Sequence, residues 1–463
     1  MVKSVKEYFV NEHLYPELNE EEVVSHFSKA IQCKTISYVD KSKIDYSELE
    51  KLHELMKDSY PNIFKIGNFE LIGHSVLIKI TGSDTSLKPS LFMSHQDVVP
   101  VVDGTEDDWK YPPFSGEVAE GYIWGRGTID IKCMVFGILE AVEYLLKHGY
   151  KFKRTIYLAF GEDEETLNRG AYNIGKHLEK QGVILEYVLD EGGGEFGPAT
   201  VYGAPNVNIT QISLFEKGYA DLLLKAYSKG GHSSRPFGGT SLGALSKAIS
   251  TIVEYPFEAK LSTVCRKALE QLAPYITEEP MITYVKDIDR YEKEIIDYYL
   301  NNESLFNQII TTVSPNMING GSSAGNVMPQ NMEAVVNFRT APQDRVEDII
   351  SNLRKVIDSA IDLSYIQANN ASDCANVDGY GYNMLVENAQ EFFKDIVFIP
   401  LLTTGATDAQ HYEIVCDSCL RFSPFVEENE IEKVGVHGTN ERMSIRSYMH
   451  GIRFLISLMK KTC

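Results

Sequence analysis

A histidine and an aspartate two residues apart end an apolar run in the stretch LFMSHQDVVPV, residues 91–101. Side chains alternate between the two faces of a strand, so His95 and Asp97 point to the same side. A carboxylate beside an imidazole orients the ring and raises its basicity, which is typical of a metal ligand and its neighbour. The alternative is a surface aspartate that holds a surface histidine at the end of a strand.

Acidic side chains also end or follow three other segments. YIWGRGTIDIKCM carries Asp130 in a glycine-rich turn before a helix, LAFGEDEE carries four consecutive acids from Glu162 to Glu165, and YVLDEGGG ends its apolar run on Asp190 and Glu191. Each acid has an ordinary alternative role. These roles are a helix N-cap for Asp130, a solvated loop for the four acids, and a turn before glycines for the last pair.

The four segments together predict one shared cleft, because ligands bind beyond the carboxyl ends of strands in open α/β sheets. The residues expected there are His95, Asp130, Glu164, Glu165 and Asp190. Two carboxylates about 4 Å apart repel by about 4 kcal/mol at an effective dielectric of 20, and a divalent cation removes this conflict. Imidazole and carboxylate ligands suit zinc, with cobalt or manganese as alternatives.

Two patterns of elements divide the chain that must hold these residues. SVLIKI, SLFMSH, TIYLAF and EYVLDE are short runs that are apolar on both faces, and CMVFGILEAVEYLLKHG is the clearest helix. They predict an α/β domain with a mostly parallel sheet covered by helices, built from residues 1–213 and 371–463. Between them, residues 214–370 follow the order β-α-β-β-α-β of a ferredoxin-like α+β domain, interrupted by a charged helical stretch at 257–305.

Composition excludes some classes of partner. The 463 residues carry a formal net charge of −21 and an isoelectric point near 5.0, so long-range repulsion opposes binding to nucleic acid or to an anionic membrane. No stretch approaches the roughly 18 apolar residues of a membrane span, and the N-terminal segment lacks an apolar signal region, which predicts a cytoplasmic protein. The seven cysteines lack regular spacing and predict free thiols, with Cys416-x-x-Cys419 in the core rather than in a zinc knuckle.

Eight short motifs follow one another along nearly the whole chain: SHQDVVP, WGRGTIDIK, FGEDEE, LDEGG, GGHSSRP, GNVMP, NFRTAP and GVHGTNE. In this order they resemble the dinuclear zinc exopeptidases and deacylases that include carboxypeptidase S, aminoacylase, acetylornithine deacetylase and succinyl-diaminopimelate desuccinylase. The stretches HQDVVPV and HGTNERM are most similar to the branch of carboxypeptidase S and the N-acyl-amino-acid hydrolases. The resemblance implies that the divided α/β domain is catalytic and that the inserted domain is a lid and dimerisation domain.

The same resemblance implies a ligand set for two zinc ions. Asp130 would bridge the two ions. His95 and Asp190 would complete one site, and Glu165 and His437 would complete the other. Cobalt or manganese remain alternatives to zinc.

The resemblance also implies the residues of catalysis and substrate binding. Asp97 would orient the His95 imidazole, and Glu164 would be the general base that deprotonates the attacking water and later protonates the leaving amine. His232 from the partner subunit of a homodimer would stabilise the tetrahedral oxyanion with the help of Asn326. Arg339 would bind the carboxylate of the substrate.

The chain departs from the family pattern at several positions. Ile131 stands where many relatives have a second acid, and the cis bond of relatives predicts a cis peptide between Asp130 and Ile131. GATDAQHY departs from Gly-Gly-Thr-Asp-Ser-Arg at Ala406 and Gln410, which predicts an altered specificity. His411 is either a pocket residue or a histidine of the core or surface.

We therefore predict a zinc-dependent metallocarboxypeptidase or amidohydrolase that cleaves an amide bond next to a free carboxylate by metal-activated water. The substrate is a small peptide, cleaved at its C-terminal residue, or an N-acyl amino acid. One alternative is an aminopeptidase or dipeptidase with the same two metals, which would prefer a substrate with a free amine. The other is a binding protein that has lost turnover, suggested by Gln410 and Ala406.

Overall fold

The computed structural model describes residues 7–193, 196–426 and 436–463, and the chain divides into two compact units. The first unit consists of Met1–Leu214, Cys374–Leu401 and Thr407–Cys463, and the second of Phe215–Asp373 and Leu402–Ala406. The sequence-based boundaries assigned residues 402–406 to the catalytic domain. This segment groups with the second unit instead, where the backbone N–H of Lys217 donates to the Thr403 carbonyl at 3.0 Å.

The described residues contain the following α-helices: α1 (Glu20–Ile31), α2 (Tyr46–Ser59), α3 (Pro61–Ile66), α4 (Lys132–Lys147), α5 (Arg169–Lys180), α6 (Ser241–Val253), α7 (Thr263–Leu272), α8 (Met281–Tyr284), α9 (Glu292–Leu300), α10 (Val346–Val356), α11 (Tyr380–Phe392) and α12 (Ile445–Thr462). The strands are β1 (Asn68–Ile72), β2 (Ser75–Ile80), β3 (Ser90–His95), β4 (Val118–Ala119), β5 (Tyr122–Trp124), β6 (Ile156–Gly161), β7 (Tyr187–Asp190), β8 (Gly197–Ala199), β9 (Ala204–Glu216), β10 (Gly218–Tyr227), β11 (Gly231–His232), β12 (Thr312–Gly320), β13 (Val327–Met328), β14 (Asn331–Thr340), β15 (Ile361–Asn369), β16 (Ile396–Thr403), β17 (Cys419–Arg421) and β18 (Arg442–Ser444).

The large sheet of the first unit has a parallel centre and antiparallel flanks. Its order is β1-β2-β6-β3-β7-β17-β9-β16, with β8 paired to β9. Strands β6, β3, β7 and β17 are parallel to their neighbours within this group, whereas β1 with β2, β2 with β6, and β17 with β9 are antiparallel. The predicted mostly parallel arrangement therefore holds only for the centre of the sheet. Two residues, Gly73 and His74, join β1 to β2, and this connection is too short for a parallel crossover.

The parallel centre is buried on both faces. Every residue of β3, β6 and β7 is buried, which explains why these strands are apolar runs without alternation. On one face they pack against α5 in a core cluster that includes Leu91, Met93, Ile174 and Val188. Consequently the polar residues at the carboxyl ends of these strands project from a rigid base.

Helix α4 lies beneath the site and is buried around most of its circumference. The helix predicted from CMVFGILEAVEYLLKHG is confirmed, and one stripe along it is buried throughout: Met134, Ile138, Ala141, Val142 and Leu145. Lys132 at its first position is also fully buried, and its Nζ donates to the carbonyls of Ala30 at 3.1 Å and Cys33 at 2.6 Å. These bonds attach the start of α4 to the end of α1 directly after the Asp130 turn.

The second unit contains a four-stranded antiparallel sheet in the order β12-β14-β10-β15. Helices α6 and α10 cover it around a core that includes Leu222, Leu245, Val336 and Leu353. Along the chain this is the predicted β-α-β-β-α-β succession, with α7, α8 and α9 in the charged interruption. The first strand after the charged interruption, β12, begins at Thr312 and continues to Gly320.

All seven cysteines are free thiols, as predicted, and Cys416 and Cys419 are buried in the core of the first unit. No helix among the described residues is both long enough and apolar enough to cross a membrane.

Candidate functional site

The carboxyl ends of the parallel strands carry the first candidate residues. His95 is the last residue of β3, and Asp190 is the last residue of β7. Strand β6 lies beside β3 and ends at Gly161, in register with His95, so the loop with Glu164 and Glu165 leaves the same edge of the sheet. Parallel neighbours thus deliver three of the four predicted segments to one place.

Two groups of ligand-type side chains meet at this edge. One is His95, Asp130 and Glu165, the other is His95, Glu164 and Glu191, and within each group the ligand atoms all lie within 4.8 Å of one another. His95 Nε2 lies 3.1 Å from Glu191 Oε1, 3.2 Å from Asp130 Oδ1 and 3.8 Å from Glu164 Oε2. Three carboxylates therefore surround the Nε2 atom of His95.

His437 approaches the same cluster from the other side of Asp130. Its Nε2 lies 3.1 Å from Asp130 Oδ2 and 3.0 Å from Glu165 Oε2. The two oxygens of Asp130 thus face different imidazoles, Oδ1 that of His95 and Oδ2 that of His437. A carboxylate with this arrangement is suited to bridging two cations.

Asp190 does not join either group, and its neighbour Glu191 does. Asp190 Oδ1 accepts from the backbone N–H of Glu191 at 2.8 Å, and Oδ2 accepts from that of Ala409 at 2.9 Å. The geometry therefore does not support Asp190 as a metal ligand. Adjacent residues at a strand end point in different directions, so only one of two consecutive acids faces the cleft. The LDEGG motif indicates that an acid enters the site at this strand end, but it does not indicate which of its two acids does so.

Asp97 is fully buried and contacts three parts of the site. Its Oδ1 lies 3.3 Å from His95 Nδ1 and accepts from the backbone N–H of Glu164 at 3.1 Å. Its Oδ2 accepts from the N–H of Glu165 at 3.2 Å and from the Ser37 hydroxyl at 2.6 Å. The contact with His95 is the one the sequence predicted, whereas the bonds to the glutamate backbone were not foreseen.

The carboxylates favour positive charge at both imidazole positions. Burial opposes a charged His95, but the charge of Glu191 and hydrogen bonds with Asp130 and Asp97 raise its pKa well above the usual value. The hydrogen bond to Asp130 raises the pKa of His437 to about 9. Burial also works against a charged Asp130, but its hydrogen bonds with His437 and His95 hold its pKa far below the usual range.

The three glutamates show the opposite effect. Burial raises the pKa of Glu164 well above its usual value, burial together with the charge of Asp130 raises that of Glu165 to about 7, and burial raises that of Glu191. Within the described ranges, the cationic partners of these acids are the two imidazoles alone. Such a concentration of acids fits divalent cations, and the mixed nitrogen and oxygen donors suit zinc.

The Asp130 turn has the predicted backbone, because the Asp130–Ile131 peptide bond is cis. His411 is partly buried with its ring against Tyr172, and burial, together with the charge of Arg169, lowers its pKa to about 4. Gln410 Nε2 donates to the Thr407 carbonyl at 3.3 Å.

In the second unit, His232 and Asn326 lie on a small exposed ribbon. His232 pairs with Val327 across β11 and β13, and the N–H of Ser233 donates to the Asn326 carbonyl at 2.9 Å. His232 Nδ1 lies 2.8 Å from the Ser234 hydroxyl, and the imidazole is exposed. The two predicted residues are therefore neighbours on one surface.

Arg339 lies on β14, and its guanidinium stacks over the Tyr219 ring at 4.7 Å from the centroid. Its Nη1 makes a long contact of 3.5 Å with the Thr404 carbonyl. No carboxylate among the described residues forms an ion pair with it, which contrasts with the surface arginines Arg345 and Arg446. The guanidinium is thus held by a ring and keeps donors for an anion.

Comparisons with known proteins identify the family of the chain. Residues 91–461 match the model of peptidase family M20/M25/M40. The chain is 34% identical over 456 residues to probable carboxypeptidase S-like 2 of Dictyostelium discoideum, covering 96% of this chain and 86% of the relative. It is 30% identical over 469 residues to the N-fatty-acyl-amino acid synthase/hydrolase PM20D1 of Xenopus tropicalis, and this match covers 99% of this chain and 90% of the relative.

A solved structure matches the fold. The M20 family metallo-carboxypeptidase Sso-CP2 from Sulfolobus solfataricus superposes with a TM-score of 0.66 over 95% of this chain and 98% of that chain, at 18% identity. The family resemblance, the α/β fold and the predicted activity, metal-dependent hydrolysis of an amide bond, are thereby confirmed. The chain belongs to peptidase family M20/M25/M40.

Proposed function

We propose that this protein hydrolyses the amide bond next to a free carboxylate, in a small peptide or an N-acyl amino acid, with Glu164 as the general base. The observation that carries the proposal is Asp130, whose two oxygens face His95 and His437 while Glu164 lies at the edge of the same cluster. The names of two relatives, a carboxypeptidase and an N-fatty-acyl-amino acid hydrolase, both describe amides of this kind.

Two divalent ions, zinc first, are the proposed cofactors. His95, Asp130 and Glu191 would hold one ion, and Asp130, Glu165 and His437 the other, so that Glu191 replaces Asp190 in the ligand set predicted from the sequence. When bound, such ions supply Lewis-acid polarisation of the scissile carbonyl and compensation for negative charge.

Glu164 is the proposed proton carrier. Burial raises its pKa, which makes its carboxylate a stronger base than an exposed glutamate. It takes a proton from the attacking water and returns it to the nitrogen of the leaving amine. Asp97 supports this role by accepting a hydrogen bond from the Glu164 backbone, which fixes where the side chain begins.

Arg339 is the proposed partner of the substrate carboxylate. A guanidinium presents two parallel N–H groups to a carboxylate, and Tyr219 beneath it restricts its orientation. Buried Lys217 adds positive charge nearby, since the charge of Arg339 contributes, after burial, to a pKa of about 8 for this lysine.

A homodimer is proposed because His232 is implied to act on the site of a partner subunit. Strand β12 is the edge of its sheet and is exposed from Ser314 to Gly320, with the apolar side chains of Met317 and Ile318 each 56% exposed. An exposed edge strand with apolar side chains is a template for pairing with a second chain.

The free cysteines support the proposed cytoplasmic location.

The experiment compares Glu164→Gln with Glu162→Gln. Both acids belong to the same run, but Glu162 accepts a hydrogen bond from the His74 backbone and belongs to neither ligand group. After chelation and reconstitution with zinc, cobalt or manganese, Glu164→Gln is expected to keep its metal content and to lose hydrolysis of N-acyl amino acids by about three orders of magnitude or more. Glu162→Gln should stay close to wild type.

The substrate panel decides between the open alternatives. N-acyl amino acids and N-blocked dipeptides should be cleaved, whereas compounds whose carboxylate is amidated should not. A preference for dipeptides with a free amine would favour an aminopeptidase or dipeptidase. Turnover by Glu164→Gln near the wild-type rate would refute the role of Glu164.

A further inference from the structure

A buried ion pair, Arg126 and Glu441, lies behind the site, and neither of its residues belongs to the two ligand groups. Arg126 Nη1 and Glu441 Oε2 are 2.7 Å apart, and the two side chains are 3% and 0% exposed. A buried pair stabilises a fold only when further hydrogen bonds satisfy its remaining donors and acceptors. The other contacts of Arg126 and Glu441 are therefore informative.

Glu441 holds the turn that carries Asp130. Its Oε1 accepts from the backbone N–H of Ile129 at 2.8 Å and from that of Asp130 at 3.3 Å. Both donors precede α4, where the chain has no helical partner for them. The position of the Asp130 main chain thus depends directly on the Glu441 carboxylate.

Arg126 holds the segment that carries His437. Its Nη2 donates to the His437 carbonyl at 3.1 Å, and its Nη1 donates to the Gly438 carbonyl at 3.1 Å. His437 has a φ of 66°, in the left-handed region that favours glycine, so its backbone needs external support. The Trp109 ring lies 5.4 Å from the guanidinium and restricts its orientation.

We propose that Arg126 and Glu441 are positioning residues that set the separation of Asp130 and His437, and with it the affinity of the site that these two residues would share. One ion pair joins two segments that lie more than 300 residues apart, and each half binds the backbone of one candidate ligand. The result is the 3.1 Å approach of His437 Nε2 to Asp130 Oδ2. This inference rests on the proposed function, because it assumes that Asp130 and His437 hold a metal ion.

The test uses Arg126→Lys and Glu441→Gln in the full chain. Lysine keeps the charge but cannot span two carbonyls and a carboxylate with a rigid fork, and glutamine keeps the shape with a single acceptor oxygen. Zinc affinity is measured by equilibrium dialysis against a competing chelator, and cobalt binding by visible absorption, which reports the ligand geometry. Each variant should bind the weaker of two zinc ions about 10- to 100-fold less tightly and show an altered cobalt spectrum.

Arg154→Lys is the matched control. Arg154 is also a buried arginine of the first unit that pairs with a glutamate, Glu186 at 3.2 Å, and donates to the Thr462 carbonyl, but neither it nor these partners belong to the ligand groups. All variants are compared by thermal unfolding. A purely structural role predicts that Arg126→Lys and Arg154→Lys both lower the unfolding midpoint and leave zinc affinity unchanged.

Three outcomes are decisive. Weaker zinc binding in Arg126→Lys and Glu441→Gln but not in Arg154→Lys supports the proposal. Wild-type zinc affinity in both site variants overturns it and leaves the proposed function intact, whereas a wild-type chain that binds no zinc overturns both. Should Arg126→Lys fail to fold, Glu441→Gln carries the test alone.

Discussion

Asp97 Oδ1 accepts a hydrogen bond from the backbone N–H of Glu164 at 3.1 Å. The same carboxylate also contacts His95 Nδ1 and the N–H of Glu165. One buried side chain therefore contacts the backbone of the proposed base, Glu164, the backbone of the proposed ligand Glu165, and the ring of the proposed ligand His95.

Asp97→Asn tests this arrangement. The amide offers one acceptor oxygen where the carboxylate offers two, and its NH2 group faces the N–H groups of Glu164 or Glu165. We expect zinc affinity to fall about 10- to 100-fold and kcat to fall at least about tenfold. Ser37→Ala is the control, because it removes only the 2.6 Å hydroxyl bond to Asp97 and should have a smaller effect. Equal effects of the two variants would contradict the assignment.

Arg339→Lys should raise KM more than it lowers kcat. Loss of a bidentate hydrogen bond to a charged group costs about 1.5 to 3 kcal/mol, which corresponds to a KM about 10- to 100-fold higher for an N-acyl amino acid. Steady-state kinetics with that substrate and with its carboxyl amide measure the effect. Arg345→Lys is the control, since Arg345 is exposed and paired with Glu347. An equal KM change for acid and amide would argue against carboxylate recognition.

A mixture of two inactive variants tests the proposed action of His232 across a dimer. His232→Ala and Glu164→Gln chains, each inactive as homodimers, are unfolded and refolded together. Random pairing makes half the dimers mixed, and one of the two sites in each is complete, so about a quarter of wild-type activity should return. Refolding His232→Ala by itself is the control. Met317→Lys on the β12 edge should yield monomers in light scattering, and no recovery of activity in the mixture would exclude action in trans.

Gly451→Ala should destabilise the first unit although alanine is the better helix former. A Cβ at position 451 would lie 2.3 Å from Cδ1 of Phe425, and a Cβ at Gly137 would meet the same ring at 2.3 Å, so the ring is confined between two helices. Overpacking costs about 1 to 3 kcal/mol, which exceeds the gain of about 1 kcal/mol in helix propensity.

The control for this change is Gly243→Ala in α6, where the nearest atom to a new Cβ is Thr240 Oγ1 at 3.4 Å. This variant should unfold at the wild-type temperature or slightly above it. Thermal unfolding with zinc removed compares the two. A midpoint of Gly451→Ala at or above that of wild type would show that the ring adapts.

His450 predicts a loss of stability in mild acid. Its Nε2 donates to the Phe392 carbonyl at 3.1 Å, its Nδ1 has no partner in the described part of the chain, and burial lowers its pKa to about 4. Between about pH 6.5 and pH 4 the unfolded chain binds a proton that the folded chain does not, so stability falls as pH falls. Near pH 5 the titration of His450 lowers the free energy of unfolding by about 2 kcal/mol.

The measurement is the difference in unfolding midpoint between neutral pH and pH 5. It should be smaller in His450→Gln than in wild type, because the variant has lost this titration. His148→Gln, at the exposed C-terminal cap of α4, should retain the wild-type difference. If His450→Gln showed the same difference in unfolding midpoint as wild type, the acid sensitivity would belong to other groups.

The sequence by itself determined the strand ends and the acids that follow them. His95, Asp130 and the pair Glu164–Glu165 sit in contiguous motifs beside apolar runs, and parallel neighbours must bring such ends to one edge. The β-α-β-β-α-β order of the second unit was equally readable, because periodicity is a local property of the chain.

Only the tertiary structure decided which of two adjacent acids enters the site. Asp190 and Glu191 have the same chemistry and neighbouring positions. Asp190 is held outside the ligand groups by the hydrogen bond that it accepts from the Ala409 N–H, and this leaves Glu191 to enter the site. The antiparallel flanks of the large sheet also depend on pairing partners that the strands themselves do not specify. The link from Arg126 to Glu441 joins residues more than 300 positions apart. Side-chain chemistry and periodicity are local properties of the chain, whereas hydrogen-bond partners between distant segments exist only after the chain has packed.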